Sequence, residues 1–362
     1  MDVSLSETQR LIQDSVKAFV ESEIPFSRIR EVESSGDMDR KLWKELAELG
    51  WLGLPLAEEH GGQVGGLADA GVLIEALTRR AVLVPIAESV VAAATLQRHA
   101  PTDVAADILP DLANGTSIAV PAVLEQEDSF KTWSIEVGAD GTLTGKKYFV
   151  DYGGQATHHL VAARSDGEPG LYLVQAQTPA VTTSAVQNIG KVPQAIVTYE
   201  GAAATRVCGQ DGYEFLVGLG RLLAAIQCVA CSQQALDMTV DYVAMRVQFG
   251  QPIGTFQAVQ HHCANMATHT LASRYLVFEA LWRHDRGEAD DTQIAVAKTQ
   301  ASRTATEVTM MAHQLHGGMG LVTEYDLHFF SLRGKQAALS WGSSEECLGL
   351  VSDTIEEPEQ WL

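Results

Sequence analysis

Arg246 stands three residues before the pair Phe249-Gly250, and the pair Phe256-Gln257 follows seven residues after Phe249. A second cluster, Gln314-Leu315-His316-Gly317-Gly318, lies further along the chain. A guanidinium supplies a fixed cation with several donors. Glycines without a Cβ let backbone N–H groups come close to a ligand. Gln257 and Gln314 add amide donors and acceptors. Such a set suits a pyrophosphate-bearing molecule. Taken alone, Arg246 reads as a surface or helix-end arginine; its register with Phe249, Gln257 and the paired glycines gives it weight. His313 and His316 are three apart, but no carboxylate or third histidine sits at partner spacing, so no metal is expected. Cys228 and Cys231 form a CxxC with no second pair, which reads as two buried small residues on a helix.

Three kinds of segment must position these residues. Residues 1–115 read as helical. Ser6-Glu7-Thr8-Gln9 opens a run with Leu11, Ile12, Val16, Phe19 and Val20 on one face. A second run from Leu42 stops at Gly50, and further helices are predicted over 68–80 and 86–98. Residues 116–210 change to short β-type runs at 134–137, 148–150, 160–162, 171–174 and 195–198, with turn dipeptides at Asp140-Gly141 and Asp166-Gly167. Residues 211–362 return to helix, over 213–244, 257–286, 291–315, 325–338 and 343–355, with Asp290-Asp291-Thr292 as the N-cap region of the third. The predicted fold class is α+β: an N-terminal helical domain, a small β sheet or barrel domain, and a bundle of four to five helices.

With 362 residues, more than one core is expected. Apolar residues make up 46% and charged residues 20%, so the chain folds. A net charge of −21 with no basic patch argues against nucleic acid and against an anionic membrane surface. No basic n-region opens the sequence and no stretch of about 18 uninterrupted apolar residues occurs, so neither a signal peptide nor membrane insertion is expected. Five cysteines suit a reduced, cytoplasmic protein.

Three segments resemble the acyl-CoA dehydrogenase family. Arg246 to Gly254 followed by Phe256 to His261 is similar to the family's R-x-x-F-G-x-x-I-x-x-F-Q-x-x-Q, Gln314 to Gly320 to its Q-x-x-G-G-x-G, and Leu42 to Trp51 with Glu59-His60-Gly61-Gly62 to its N-terminal domain. The resemblance spans essentially the whole chain. It implies the helical, β, helical-bundle order and an FAD shared between subunits. The ring lies in the β domain of one subunit, and the neighbour's R-x-x-F and Q-x-x-G-G segments hold the ADP half. Arg246, Phe249, Phe256, Gln257, Gln314, Leu315, His316, Gly317 and Gly318 are the cofactor-contacting residues it implies.

The family's reaction, α,β-desaturation of an acyl-CoA thioester, needs a glutamate base at the α-carbon. Aligned without gaps from Gln314, the family's Y-E-G-T falls on Ser340-Trp341-Gly342-Ser343, so Trp341 stands in the glutamate's place. The alternative L-E-R site, counted back from Arg246, falls on Leu219-Gly220-Arg221, so Gly220 occupies it. Tryptophan has a donor N–H and no basic site. Glu214, Glu345 and Glu346 are the nearest other carboxylates and read as solvated helix-end acids. The family's T-E-P-x-A-G-S-D stretch corresponds to 120–126, where only Glu125 matches. The ring-contacting W-I-T corresponds to Phe149-Val150-Asp151. A carboxylate at Asp151 would oppose charge on a reduced flavin.

Residues used on a neighbour's flavin are therefore kept and those used in cis are gone. That resembles one subunit of the heteromeric actinobacterial dehydrogenases acting on steroid side-chain CoA esters, tetramers with two copies of each chain and two flavins. The expected partner is a homologous, glutamate-bearing chain that binds most of the acyl-CoA. Two other readings stay open: a self-sufficient homomeric flavoprotein with an unrecognised base, and a non-enzymatic acyl-CoA or partner-binding scaffold.

Overall fold

The computed structural model describes residues 5–127, 130 and 133–353. Two compact units account for the chain. One comprises Met1–Phe26, Gly71–Val82 and Arg221–Leu362, the other Ser27–Ala70 and Leu83–Gly220.

The N-terminal helices begin and end where the local chemistry directs. Helix α1 (Glu7–Glu23) starts with a reciprocal box: Ser6 Oγ accepts from the Gln9 N–H, and Gln9 Oε1 accepts from the Ser6 N–H. Helix α2 (Phe26–Ser35) has no counterpart in the sequence expectation. Helix α3 (Arg40–Glu48) is capped by Asp39, whose carboxylate accepts from the Leu42 N–H at 2.8 Å, and the chain turns at Gly50 with φ 73°. Helices α4 (Leu67–Thr78), α5 (Ile86–His99) and α6 (Thr102–Ala113) follow.

The second unit holds two sheets. Strands β1 (Ala119–Ala122), β2 (Thr142–Asp151), β3 (His158–Ser165), β4 (Glu168–Gln175), β5 (Val181–Val186), β6 (Gln194–Ala203) and β7 (Thr205–Cys208) pair in the orders β1-β3-β4-β7 and β2-β6-β5. Asp166 and Gly167 both have positive φ, 53° and 79°, the geometry a two-residue hairpin between β3 and β4 demands. Between the sheets His159 is held on both nitrogens. Nε2 faces the Gly153 carbonyl at 2.9 Å and so carries the hydrogen, leaving Nδ1 to accept from the Tyr199 hydroxyl at 3.0 Å. Burial pushes this imidazole down to about 4, so it stays neutral.

The helices after β7 are α7 (Gln210–Met245), α8 (Gln257–Asp285), α9 (Asp291–His316), α10 (Leu327–Leu339) and α11 (Ser344–Asp353). Asp290 caps α9, accepting from the Gln293 N–H at 2.7 Å. Residues 354 and 355 of the helix expected over 343–355 lie outside the described residues. Helix α7 is, by length and composition, apolar enough to cross a membrane, with a mean hydropathy of 1.8 over its best window; 89% of that window is buried inside the protein, which makes it a core helix. Gly334 of α10 lets the helix approach Cys231 on α7, where an added Cβ would sit 3.2 Å from the Cys231 Cβ. Cys228 and Cys231 are free and fully buried, and burial pushes both thiols up. The fully buried Lys298 ends α10 by donating to the carbonyls of Ala337 and Ala338 and to Ser302 Oγ.

Candidate functional site

The first cluster sits where α7 runs out. The Arg246 N–H closes the last turn onto the Tyr242 carbonyl at 2.9 Å, and the Arg246 carbonyl accepts from the Ile253 N–H at 2.8 Å. Between them the chain makes a minimal hairpin in which Val247 pairs with Pro252 and Gln248 with Gln251. Its two turn residues, Phe249 and Gly250, both have positive φ, 52° and 81°. Gly250 adopts this at no cost; Phe249 does not. Phe249 is 91% exposed, in edge contact with Phe256, ring centroids 6.1 Å apart. Arg246 and Gln257, the first residue of α8, are exposed on the same short segment.

The second cluster sits where α9 runs out. Gln314 is exposed and Leu315 half-buried. Gly317 has φ 57°, and neither Gly317 nor Gly318 has any atom within 4 Å of where a Cβ would stand, so their backbone opens onto free space. The His316 side chain is turned inward: Nδ1 lies 2.7 Å from the Ala312 carbonyl and Nε2 lies 3.0 Å from the Tyr325 hydroxyl. Whatever His316 offers a ligand therefore comes from its main chain. The two clusters meet underneath, where the Tyr242 ring stacks on the His316 imidazole, centroids 4.4 Å apart and planes 24° from parallel. Nothing in the spacing of the sequence announced this contact. Met245 and Leu321, 75% and 79% exposed, add apolar surface beside the two clusters. A cation, amide groups, open glycine backbone and a presented aromatic are together able to receive the phosphates and adenosine of a dinucleotide.

The positions where a base would be expected carry none. Trp341 occupies the loop between α10 and α11 with φ 61°, half-buried, its carbonyl accepting from Arg221 Nε at 3.3 Å. Gly220 is buried within α7. Of the other carboxylates, Glu346 closes a capping box at the start of α11: its Oε2 accepts from the Ser343 N–H, and Ser343 Oγ accepts from the Glu346 N–H. Glu214 accepts from the Gln210 amide one turn earlier, and Glu345 is exposed.

The β unit carries charge where an isoalloxazine-contacting strand was expected. Glu125 is turned into the interior, accepting from Ser134 N and Oγ, from Ile135 N, and from Lys147 Nζ at 2.9 Å. Burial opposes its ionisation, but Ser134 and Lys147 outweigh burial and hold the carboxyl below the usual range. Lys147, fully buried, is pushed down to about 8 by burial despite Glu125. At the end of β2, Asp151 Oδ1 accepts from the Gln194 amide at 2.7 Å, and Glu88 on α5 is close enough to feel its charge. Burial raises both carboxyls, and Asp151 raises Glu88 further.

Comparisons with known proteins give the family and the fold. The model of the acyl-CoA dehydrogenase N-terminal domain matches residues 6–116 and that of the acyl-CoA dehydrogenase C-terminal domain matches residues 214–357. Acyl-CoA dehydrogenase IpdE2 of Mycolicibacterium smegmatis is 29% identical over 95% of this chain and 97% of its own length. Among solved structures, a variant of the Tcur3481-Tcur3483 steroid ACAD superposes with a TM-score of 0.93 at 29% identity, over 99% of this chain and 100% of that one. The ChsE4-ChsE5 complex from Mycobacterium tuberculosis does so with a TM-score of 0.92 at 27% identity, again over 99% and 100%.

Proposed function

Because this chain belongs to the acyl-CoA dehydrogenase family, whose members are FAD-dependent oxidoreductases, we propose that it is the non-catalytic half of a heteromeric enzyme. One observation carries the reading: Phe249 is held at a strained φ of 52° and 91% exposed beside Arg246. The reading also takes Trp341 and Gly220 to occupy the family's base positions. Strain of this kind costs about 1–3 kcal/mol and persists where a function needs the geometry. A bare aromatic at a hairpin tip does nothing for the isolated chain and is suited to cover a ligand held by another subunit.

Arg246, Gln257, Gln314 and the backbone of Gly317 and Gly318 would hold the ADP half of an FAD whose ring lies in the partner. When bound, the FAD would supply the hydride acceptor for the β-carbon of the acyl-CoA. The partner's glutamate removes the α-proton and its chain binds most of the thioester. In this chain's own β unit, an ionised Asp151 would oppose a negatively charged reduced ring. The Tcur3481-Tcur3483 steroid ACAD and the ChsE4-ChsE5 complex support a partner subunit and a steroid substrate class; two copies of each chain and a bulky steroid-CoA ester are part of the proposal. We assign the assembly to the cytoplasm, in keeping with five free cysteines.

The test is purification of this chain alone and together with a homologous, glutamate-bearing dehydrogenase chain. Flavin absorbance and turnover are expected from the pair only. Full FAD content and turnover from this chain by itself would overturn the proposal.

A further inference from the structure

We propose that Tyr242, His316 and Tyr325 are positioning residues that lock the two FAD-contacting clusters into one surface. The inference rests on the reading that these clusters hold FAD, and it names the device that sets their mutual geometry.

Tyr242 belongs to the last full turn of α7, and its carbonyl accepts from the Arg246 N–H, so the place of the Tyr242 ring and the exit of the Arg246 hairpin are fixed together. His316 is the last residue of α9, and the open Gly317-Gly318 backbone begins at its carbonyl. The stack of the two rings, centroids 4.4 Å apart, is therefore the point at which the end of one helix sets the end of the other.

Tyr325 secures the stack from the far side of the loop. Its ring centroid lies 5.1 Å from that of His316 and 6.4 Å from that of Tyr242. Because His316 Nδ1 faces the Ala312 carbonyl, Nδ1 carries the hydrogen and Nε2 is left to accept from the Tyr325 hydroxyl. That hydrogen bond ties residue 316 to residue 325 and clasps the glycine loop at both ends. Gly320 completes the fit: a Cβ there would meet the His316 Cβ at 3.0 Å and His313 Nδ1 at 3.2 Å, so the loop lies directly on the two histidine side chains. Burial lowers the His316 imidazole below its usual range and so favours the neutral form that this donor pattern requires.

The experiment uses the co-purified heteromer. FAD affinity is measured by flavin fluorescence, assembly by size exclusion, and kcat at saturating FAD. Tyr242→Leu and Tyr325→Phe should each weaken FAD binding roughly two- to tenfold, the worth of one ring pair or one neutral hydrogen bond. The heteromer should remain assembled and kcat should be unchanged, a split that general destabilisation would not give. Tyr242→Phe, which keeps the ring, should retain wild-type affinity. If Tyr325→Phe and Tyr242→Leu bind FAD like the wild type while Arg246→Ala loses it, the positioning role is wrong. If Arg246→Ala also binds FAD normally, the underlying assignment of the surface falls, and this inference with it.

Discussion

Arg221 donates its Nε–H to the carbonyl of Trp341 at 3.3 Å, within a loop whose tryptophan is held at φ 61°. Under the proposed reading the indole takes the place of the family's carboxylate, and the loop is fixed through its backbone. Trp341→Gly removes the ring and relieves the left-handed backbone. If the base belongs to the partner, turnover of the heteromer should change by less than about twofold, well under the roughly 10²- to 10⁴-fold that loss of a general base brings. Steady-state kinetics of the purified pair decides it; a loss of a hundredfold or more would place chemistry at this loop.

The hairpin tip separates stability from binding. Phe249 buries almost nothing in the isolated chain and is strained, whereas asparagine accepts a left-handed backbone readily. Phe249→Asn should leave the melting temperature of the chain alone unchanged or higher and lower the FAD affinity of the heteromer. Arg246→Ala should weaken FAD by about 1.5–3 kcal/mol, roughly 10- to 150-fold, the value of a charge-assisted hydrogen bond. Thermal melts of the chain and flavin titration of the pair measure the two halves.

Lys147 and Glu125 are a buried pair in the β unit. Lys147→Met leaves the Glu125 carboxylate buried with only its Ser134 and Ile135 partners. The expected loss is about 3 kcal/mol, at the low end for one half of a buried pair because those partners remain. Adding Glu125→Gln should recover part of it. Denaturant midpoints of the single and double variants check both statements.

Asp151 and Glu88 give the β unit a pH dependence of known sign. Both carboxyls are raised in the folded protein, so the fold binds protons that the unfolded chain has released. Their contribution is fully present below the ordinary carboxylate pKa, about 4, and is lost as pH rises through the raised folded values. Asp151→Asn should therefore raise the melting temperature at about pH 8 and leave it nearly unchanged at about pH 4, read from parallel melts.

Most of this architecture was legible in the chain. Helices α7, α8 and α9 announced themselves through long runs of helix-forming residues and polar boundaries such as Asp290. The Asp166-Gly167 turn was visible because few other residue pairs tolerate two left-handed conformations. Helix α2 escaped notice because its ten residues carry a single buried side chain, Ile29, and so no apolar periodicity. Strands β1, β5 and β7 are short or mostly exposed, with too little alternation to read. At the site, glycines and Arg246 were found by motif. The Tyr242–His316 stack was not, because it joins residues 74 positions apart that follow no shared local pattern. The inward turn of Glu125 and the Glu88–Asp151 proximity likewise depend on which side of a strand or helix faces inward, which only the folded chain fixes.

The exposed apolar side chains of Met245, Phe249 and Leu321 have a consequence for supply as well as for binding. An unassembled copy shows the cell an apolar, solvent-facing loop of the sort that quality-control machinery grips and that promotes clumping at high concentration. Under the heteromeric reading, surplus over the partner would be cleared and a deficit would leave the partner's flavin half-held. The abundance of this chain is then set by stoichiometry, and matched synthesis of the two subunits becomes a requirement that begins with a single strained phenylalanine.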